Sequence, residues 1–113
     1  MKVMAAIHDL MFSSKVNAAA RGKKIGWVPR GADVAAEVAK DQPDVLLIDL
    51  ATQKFDAVDA VKKVKAGCKT CRVIGYVDHT REGLIEAAKQ AGCDQVMSKG
   101  EFARRLPELL DGI

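Results

Sequence analysis

The 113-residue chain sets 18 Lys and Arg against 15 Asp and Glu, for a net charge of +3, with 49% apolar and 29% charged residues. This is the balance of an ordinary globular protein, and the length suits a single domain spanning residues 1–113 with one real core. The basic residues are scattered and aromatics make up only 4%. A nucleic-acid binder concentrates its positive charge in a stripe with aromatics, so no direct nucleic-acid contact is expected.

No apolar run approaches the ~20 residues of a membrane span. The opening stretch MKVMAAIHDLMF is broken by His8 and Asp9 before it reaches the length of a secretory signal. A cytoplasmic location is therefore expected, with Cys68, Cys71 and Cys93 as reduced thiols.

In chain order, KVMAAI (2–7) reads as a strand buried on both faces, and 11–24 as a helix closed near Gly22. Residues 25–29 form a short strand stopped by Pro29. Residues 32–42 put Val34, Ala35 and Val38 on one helical face. DVLLIDL (44–50) is too short and too apolar for a surface helix, so it is a buried strand. Residues 56–67 carry a Val58, Val61, Val64 stripe and end at Gly67. A fourth strand is expected over 71–77, a helix over 80–92, a fifth strand over 94–98 and a last helix over 101–112. Pro107 lacks an N–H and should kink or shorten that helix.

Continuous apolar strands alternating with amphipathic helices predict an α/β fold, a doubly wound parallel sheet of five strands with helices on both faces. Such sheets keep their chemistry at the carboxyl ends of the strands. There the chain places His8 and Asp9 after the first strand, Asp49 at the end of the third, Asp78 and His79 after the fourth, and Lys99 after the fifth. A buried carboxylate needs a partner, and Lys99 is the cation best placed to reach Asp49 within ion-pair distance.

Other motifs carry less. Cys68 and Cys71 form a C-x-x-C, half of a zinc site, on the edge of the sheet opposite Asp49. Cys93 enters the fifth strand near them, and no fourth ligand is evident. His8 and His79 could join the three aspartates around a transition metal, but no ligand spacing supports it. The glycines form no dinucleotide fingerprint and the serines no nucleophile elbow. Trp27 and Tyr76 lie within strands and read as packing residues.

Asp49 after VLLI, Lys99 after QVMS, and Asp56 seven residues past Asp49 make the chain resemble the receiver domain of bacterial response regulators (CheY-like), over essentially its whole length. The resemblance implies a flavodoxin-like sheet in the order 2-1-3-4-5. It also implies that Asp49 is the phospho-acceptor candidate, that Lys99 contacts the phosphate, and that an acidic pair after the first strand holds Mg²⁺. A hydroxyl ending the fourth strand and an aromatic in the fifth then respond together to phosphorylation.

Several positions depart from that pattern. The acidic pair is His8-Asp9, the hydroxyl position is Val77 and the aromatic position is Val96. Ala57 and Gly100 stand where the family usually has glycine and proline, and the loop after Asp49 lacks its proline. An imidazole makes a poorer Mg²⁺ site than a carboxylate, so a site of Asp9, Asp49 and His8 should hold Mg²⁺ weakly, and no other cofactor is expected.

These features predict a degenerate, stand-alone receiver-like module, not an enzyme. It would act through contact with a protein partner such as a sensor kinase or another signalling protein, with weak or no phosphorylation at Asp49. A genuine phospho-accepting regulator and a small ligand-binding or enzymatic flavodoxin-like protein are the alternatives. The expected contact face lies on the last helix, formed by Phe102, Leu106, Arg104 and Arg105.

Overall fold

A computed structural model describes residues 1–111 of the chain. Five strands and five helices alternate through it: β1 Val3–Ala6, α1 Leu10–Ala20, β2 Gly26–Trp27, α2 Val34–Asp41, β3 Val45–Asp49, α3 Ala57–Gly67, β4 Arg72–Val77, α4 Glu82–Gln90, β5 Gln95–Ser98 and α5 Lys99–Leu109. The strands form one parallel sheet in the order β2-β1-β3-β4-β5. This is the doubly wound, flavodoxin-like architecture.

β3 lies at the centre because it can be buried on both faces: Leu46, Leu47 and Ile48 are all fully covered. Each such side chain contributes about 1.5–3 kcal/mol relative to exposure. Alternate residues of the strands feed two separate core layers. Leu46, Ile48, Val73 and Val77 pack with Val38, Val61 and Ala88 of α2, α3 and α4. Leu47, Ile74, Tyr76 and Met97 pack with Phe12 and Val16 of α1 and with Phe102 and Leu106 of α5.

The helix starts are set by side chains. Asp9, Asp33, Asp56 and Ser98 each accept a backbone N–H of the following turn, capping α1, α2, α3 and α5. Such caps satisfy donors that the first turn would otherwise leave open. α1 ends earlier than its apolar pattern suggests, because Arg21 takes the left-handed conformation at φ 54° ahead of Gly22 at φ 83°. β2 is shorter than expected, pairing only Gly26 and Trp27 with β1.

α5 differs most from the expectation. It begins at Lys99 rather than residue 101, and it continues past Pro107 to Leu109. Residue 112, the expected end, lies outside the described residues. Pro107 sits in the last turn, so its missing N–H forfeits one bond, to the carbonyl four residues earlier, and few turns remain beyond it to be disrupted. Phe102 and Leu106, expected on a contact face, are instead fully buried against the sheet. Their spacing of four makes one stripe with Leu110, also buried, and a helical stripe of that kind turns to the core.

Candidate functional site at the carboxyl edge of the sheet

Asp49 is the last residue of β3 and is half-buried. Its Oδ1 accepts the Ala51 N–H at 3.0 Å, which folds the chain into a tight turn over the strand end. Leu50 is buried between them and its own N–H donates to the Tyr76 carbonyl at 3.1 Å. The Leu50 side chain lies flat on Gly75, where a Cβ would fall 2.6 Å from Leu50 Cδ1. Gly75 therefore lets the residue after Asp49 press onto β4, and this contact fixes the carboxylate's position.

Burial raises the Asp49 carboxyl above the ordinary carboxylate range. The Ala51 N–H counters this, the Asp9 charge adds to it, and the positive charges of Lys99 and His8 oppose it. Lys99 thus acts on Asp49 electrostatically, but the two form no ion pair within 4.0 Å. The reason is local: Ser98 caps α5 by accepting the Glu101 N–H at 3.1 Å, so Lys99 is the first residue of a helix and is exposed. The hydrogen bond that Asp49 does make is the one from the Ala51 N–H.

His8 and Asp9 are also committed locally. His8 Nε2 lies 2.9 Å from the Val28 carbonyl, which can only accept, so Nε2 carries the proton and Nδ1 is left as an acceptor in the neutral ring. The ring meets Phe55 edge-on at 6.0 Å. Asp9 Oδ1 accepts the Phe12 N–H at 3.1 Å as the cap of α1. Among the described residues no three His, Cys, Asp or Glu side chains are grouped to hold a metal ion. Asp9 and His8 both act electrostatically on Asp49, so the three share this edge, and the imidazole is the member of the set that suits Mg²⁺ least.

The fourth strand end points elsewhere. Asp78 is exposed and accepts both the N–H and the hydroxyl of Thr80, at 2.9 and 2.8 Å, which lowers its carboxyl pKa. His79, with an 82% exposed side chain, turns to solvent. Val77 is fully buried with no polar atom to offer, and Val96 is half-buried on the edge strand.

Two features of this edge escaped the sequence reading. Leu10 and Met11, at 82% and 64% exposure, stand open beside Asp9. The signal was available, since the buried stripe of α1 runs Phe12, Val16, Ala20 and leaves both outside it. The second is Tyr76, whose register partner on β3 is Asp49.

On α5, Arg104 is exposed, while Arg105 bonds Glu101 at 3.5 Å and Glu108 at 3.2 Å along its own helix. The cysteines do not form a cluster. Cys68, half-buried, lies 3.7 Å from the Thr70 hydroxyl, while Cys71 and Cys93 are buried with backbone carbonyl partners. Beside them Lys65 spans the Cys71 carbonyl at 2.8 Å and the Asp94 carboxylate at 2.9 Å, and Asp94 in turn accepts the Val73 N–H. This clamp ties α3 to β4 and β5 at the amino edge and is structural.

Strand order, helix placement and an aspartate ending β3 together define the receiver-domain, or CheY-like, fold. Solved structures bear this out across nearly the whole chain. The receiver domain of a sensor histidine kinase from Pseudomonas aeruginosa, with a magnesium ion coordinated in its active-site cleft, is similar with a TM-score of 0.76 and 18% identity over 97% of both chains. A response regulator from Hahella chejuensis gives a TM-score of 0.81 at 13% identity, over 97% of this chain and 92% of the other. A CheY-like protein from Pseudomonas aeruginosa gives 0.78 at 16% identity, over 99% and 98%. No family model and no curated protein sequence matches the chain. No helix of the described residues is long and apolar enough to cross a membrane.

Proposed function

We propose that this chain is a receiver-like signalling module that works by protein–protein contact, with Asp49 a poor phosphoryl acceptor. The observation that carries this reading is the local hydrogen bonding of Asp49, Asp9 and His8. Asp49 accepts the Ala51 N–H, Asp9 caps α1, His8 is bonded to Val28, and Lys99 is exposed in the first turn of α5 with no ion pair to Asp49 within 4.0 Å. Phosphoryl transfer relies on a metal and on cations to neutralise the transferred oxygens, and Val77 offers no hydroxyl to a phosphate.

Mg²⁺ binding at this edge is correspondingly weak, and no enzymatic activity is proposed. The partner is a signalling protein, such as a sensor kinase, that recognises the folded surface rather than a phosphate. The alternative, a true phospho-acceptor, draws support from Lys99 and Asp49 sharing one edge and from the magnesium-bound receiver of similar fold.

Intact-mass analysis after incubation with acetyl phosphate and millimolar Mg²⁺ decides between them. The proposed reading expects the unmodified mass. A stoichiometric phosphoryl adduct that disappears in Asp49→Asn would overturn it.

A further inference from the structure

Among the described residues no metal site gathers the three thiols, yet two of them close a single turn. α3 ends at Gly67, and Lys69 and Thr70 turn the chain between Cys68 and Cys71 on its way into β4. The ends of a four-residue turn lie within about 7 Å of each other, and a disulfide spans about 4.4–6.8 Å between Cα atoms. Both side chains also lie on the same face of the sheet. Cys71 is buried in the core layer under α2, α3 and α4, and Cys68 packs against that layer from its rim.

Cys68 is held against the backbone of Cys71. Its Sγ lies 3.7 Å from the Thr70 hydroxyl, and the Cys71 N–H donates to the same sulfur. Cys71 Sγ is only three bonds from that nitrogen, so rotation about the two Cα–Cβ bonds changes the distance between the sulfurs directly. The turn is pinned from one side, where the Lys65 ammonium donates to the Lys69 carbonyl at 3.5 Å and to the Cys71 carbonyl at 2.8 Å. Cys93 is engaged elsewhere, with the Val73 and Gln95 carbonyls.

The two thiols differ as an attacking and a resolving thiol do. Cys68 is half-buried at the surface, and the hydrogen bonds to its sulfur favour the thiolate. Cys71 has no exposure, and burial together with the Cys68 charge pushes its thiol up to about 11. An oxidant at neutral pH therefore meets Cys68 first. Once the Cys68 sulfur is oxidised to a neutral group, its charge no longer opposes the ionisation of Cys71.

We propose that Cys68 and Cys71 form a redox-active dithiol that reduces a hydroperoxide and closes to a disulfide, with Cys68 attacking and Cys71 resolving. The Cys68 thiolate attacks the terminal oxygen of the hydroperoxide, the O–O bond breaks, and the departing alkoxide takes up a proton. Cys68 is left as the sulfenic acid. The Cys71 thiol gives up its proton, its sulfur attacks the Cys68 sulfur, and the S–O bond breaks to release water. Two thiols are thereby oxidised by two electrons, and one hydroperoxide is reduced to an alcohol and water. The pair lies at the amino edge, where Lys65 joins the turn to Asp94. It gives the module an input that uses neither Asp49 nor a phosphoryl group.

The test treats the reduced chain, freed of reductant, with a small excess of hydrogen peroxide and follows it by intact mass and peptide mapping. The expected result is the loss of two hydrogens per chain, a crosslink mapped to Cys68 and Cys71, and full reversal by dithiothreitol. Cys68→Ser should slow the loss of thiol by about tenfold or more, whereas Cys93→Ala should leave the rate and the crosslink unchanged. In Cys71→Ala, dimedone should trap Cys68 as its sulfenic acid. Circular dichroism checks the fold of each variant, and the crosslink map of the parent needs no variant at all. No reaction with peroxide, a crosslink to Cys93 or to a second chain, or Cys68 carried past the sulfenic acid while Cys71 stays a thiol overturns the proposal.

Discussion

Gly75→Ala tests how Asp49 is held in place. A Cβ at this position would lie 2.6 Å from Leu50 Cδ1, 2.7 Å from Cγ and 3.0 Å from Cδ2. Three atoms of one side chain are struck together, so no single methyl rotation relieves the contact. The favourable separation of carbon atoms is about 3.5–4.0 Å, so the whole isobutyl group must retreat by roughly 1 Å. Leu50 is 3% exposed, so a retreat of that size gives up packing against its neighbours. Overpacking of this kind costs about 1–3 kcal/mol. The lost flexibility of the unfolded chain returns about 0.4–1 kcal/mol, leaving a net loss of up to about 2.6 kcal/mol and about 1.3 kcal/mol at the middle of the two ranges. At about 4 °C per kcal/mol for a domain slightly over 100 residues, the unfolding midpoint should fall by about 5 °C, and by about 10 °C at most. Thermal and urea unfolding followed by circular dichroism measure it. Leu50→Ala alone should cost about 2–5 kcal/mol, and less in the Gly75→Ala background, because the new methyl then fills part of the cavity. A Gly75→Ala protein as stable as the parent, or additive behaviour in the double variant, would refute the close contact.

Asp49→Asn should be more stable than the parent at neutral pH. Burial raises the Asp49 carboxyl in the folded state, so its contribution to stability is present below the unfolded pKa of about 3.9 and is lost as pH rises through the folded value. The variant's advantage should therefore fade as the pH is lowered, and an advantage that grows toward acid would contradict the assignment. Among the thiols, Cys68 should be alkylated first by iodoacetamide, since the Thr70 hydroxyl holds its pKa down while burial pushes Cys71 and Cys93 up to about 11. Peptide mapping after a short pulse reads this, and equal labelling of the three would refute it. Phe102→Ala should cost about 3–5 kcal/mol, whereas Arg104→Glu, on an exposed position, should stay within about 0.5 kcal/mol of the parent by urea unfolding.

The sheet was legible because its information is local and redundant. Four continuous apolar runs and one short one, separated by stripes with a helical period, admit few arrangements other than a parallel sheet covered on both faces. The helix ends were less legible, although their signals are in the sequence. Ser98, Lys99, Gly100 and Glu101 spell a capping box. Their order moves Lys99 from the end of a strand to the start of a helix, and with it the expected ion pair to Asp49. The same kind of signal at Asp9, a cap followed by Leu10, Met11 and Phe12, commits one carboxylate of the edge to the helix backbone. Capping uses the side-chain types that a metal site uses, so a count of acids at strand ends cannot separate the two roles.

Tyr76 marks the limit of reading one strand at a time. In RVIGYV it is one more large side chain in a buried run, and nothing local distinguishes its ring from that of a phenylalanine. Pairing with Asp49 is set by the register between β3 and β4, and stacking between Phe12 and Phe102 is set by how α1 and α5 cross the sheet. Both are tertiary facts. The Tyr76 hydroxyl is buried without a hydrogen-bond partner, where a phenyl ring would fill the same space. Val77 removes the hydroxyl expected one residue further along the same strand. The chain thus has a hydrogen-bonding group beside its acid edge, placed one residue earlier and turned toward α1 and α5 instead of α4.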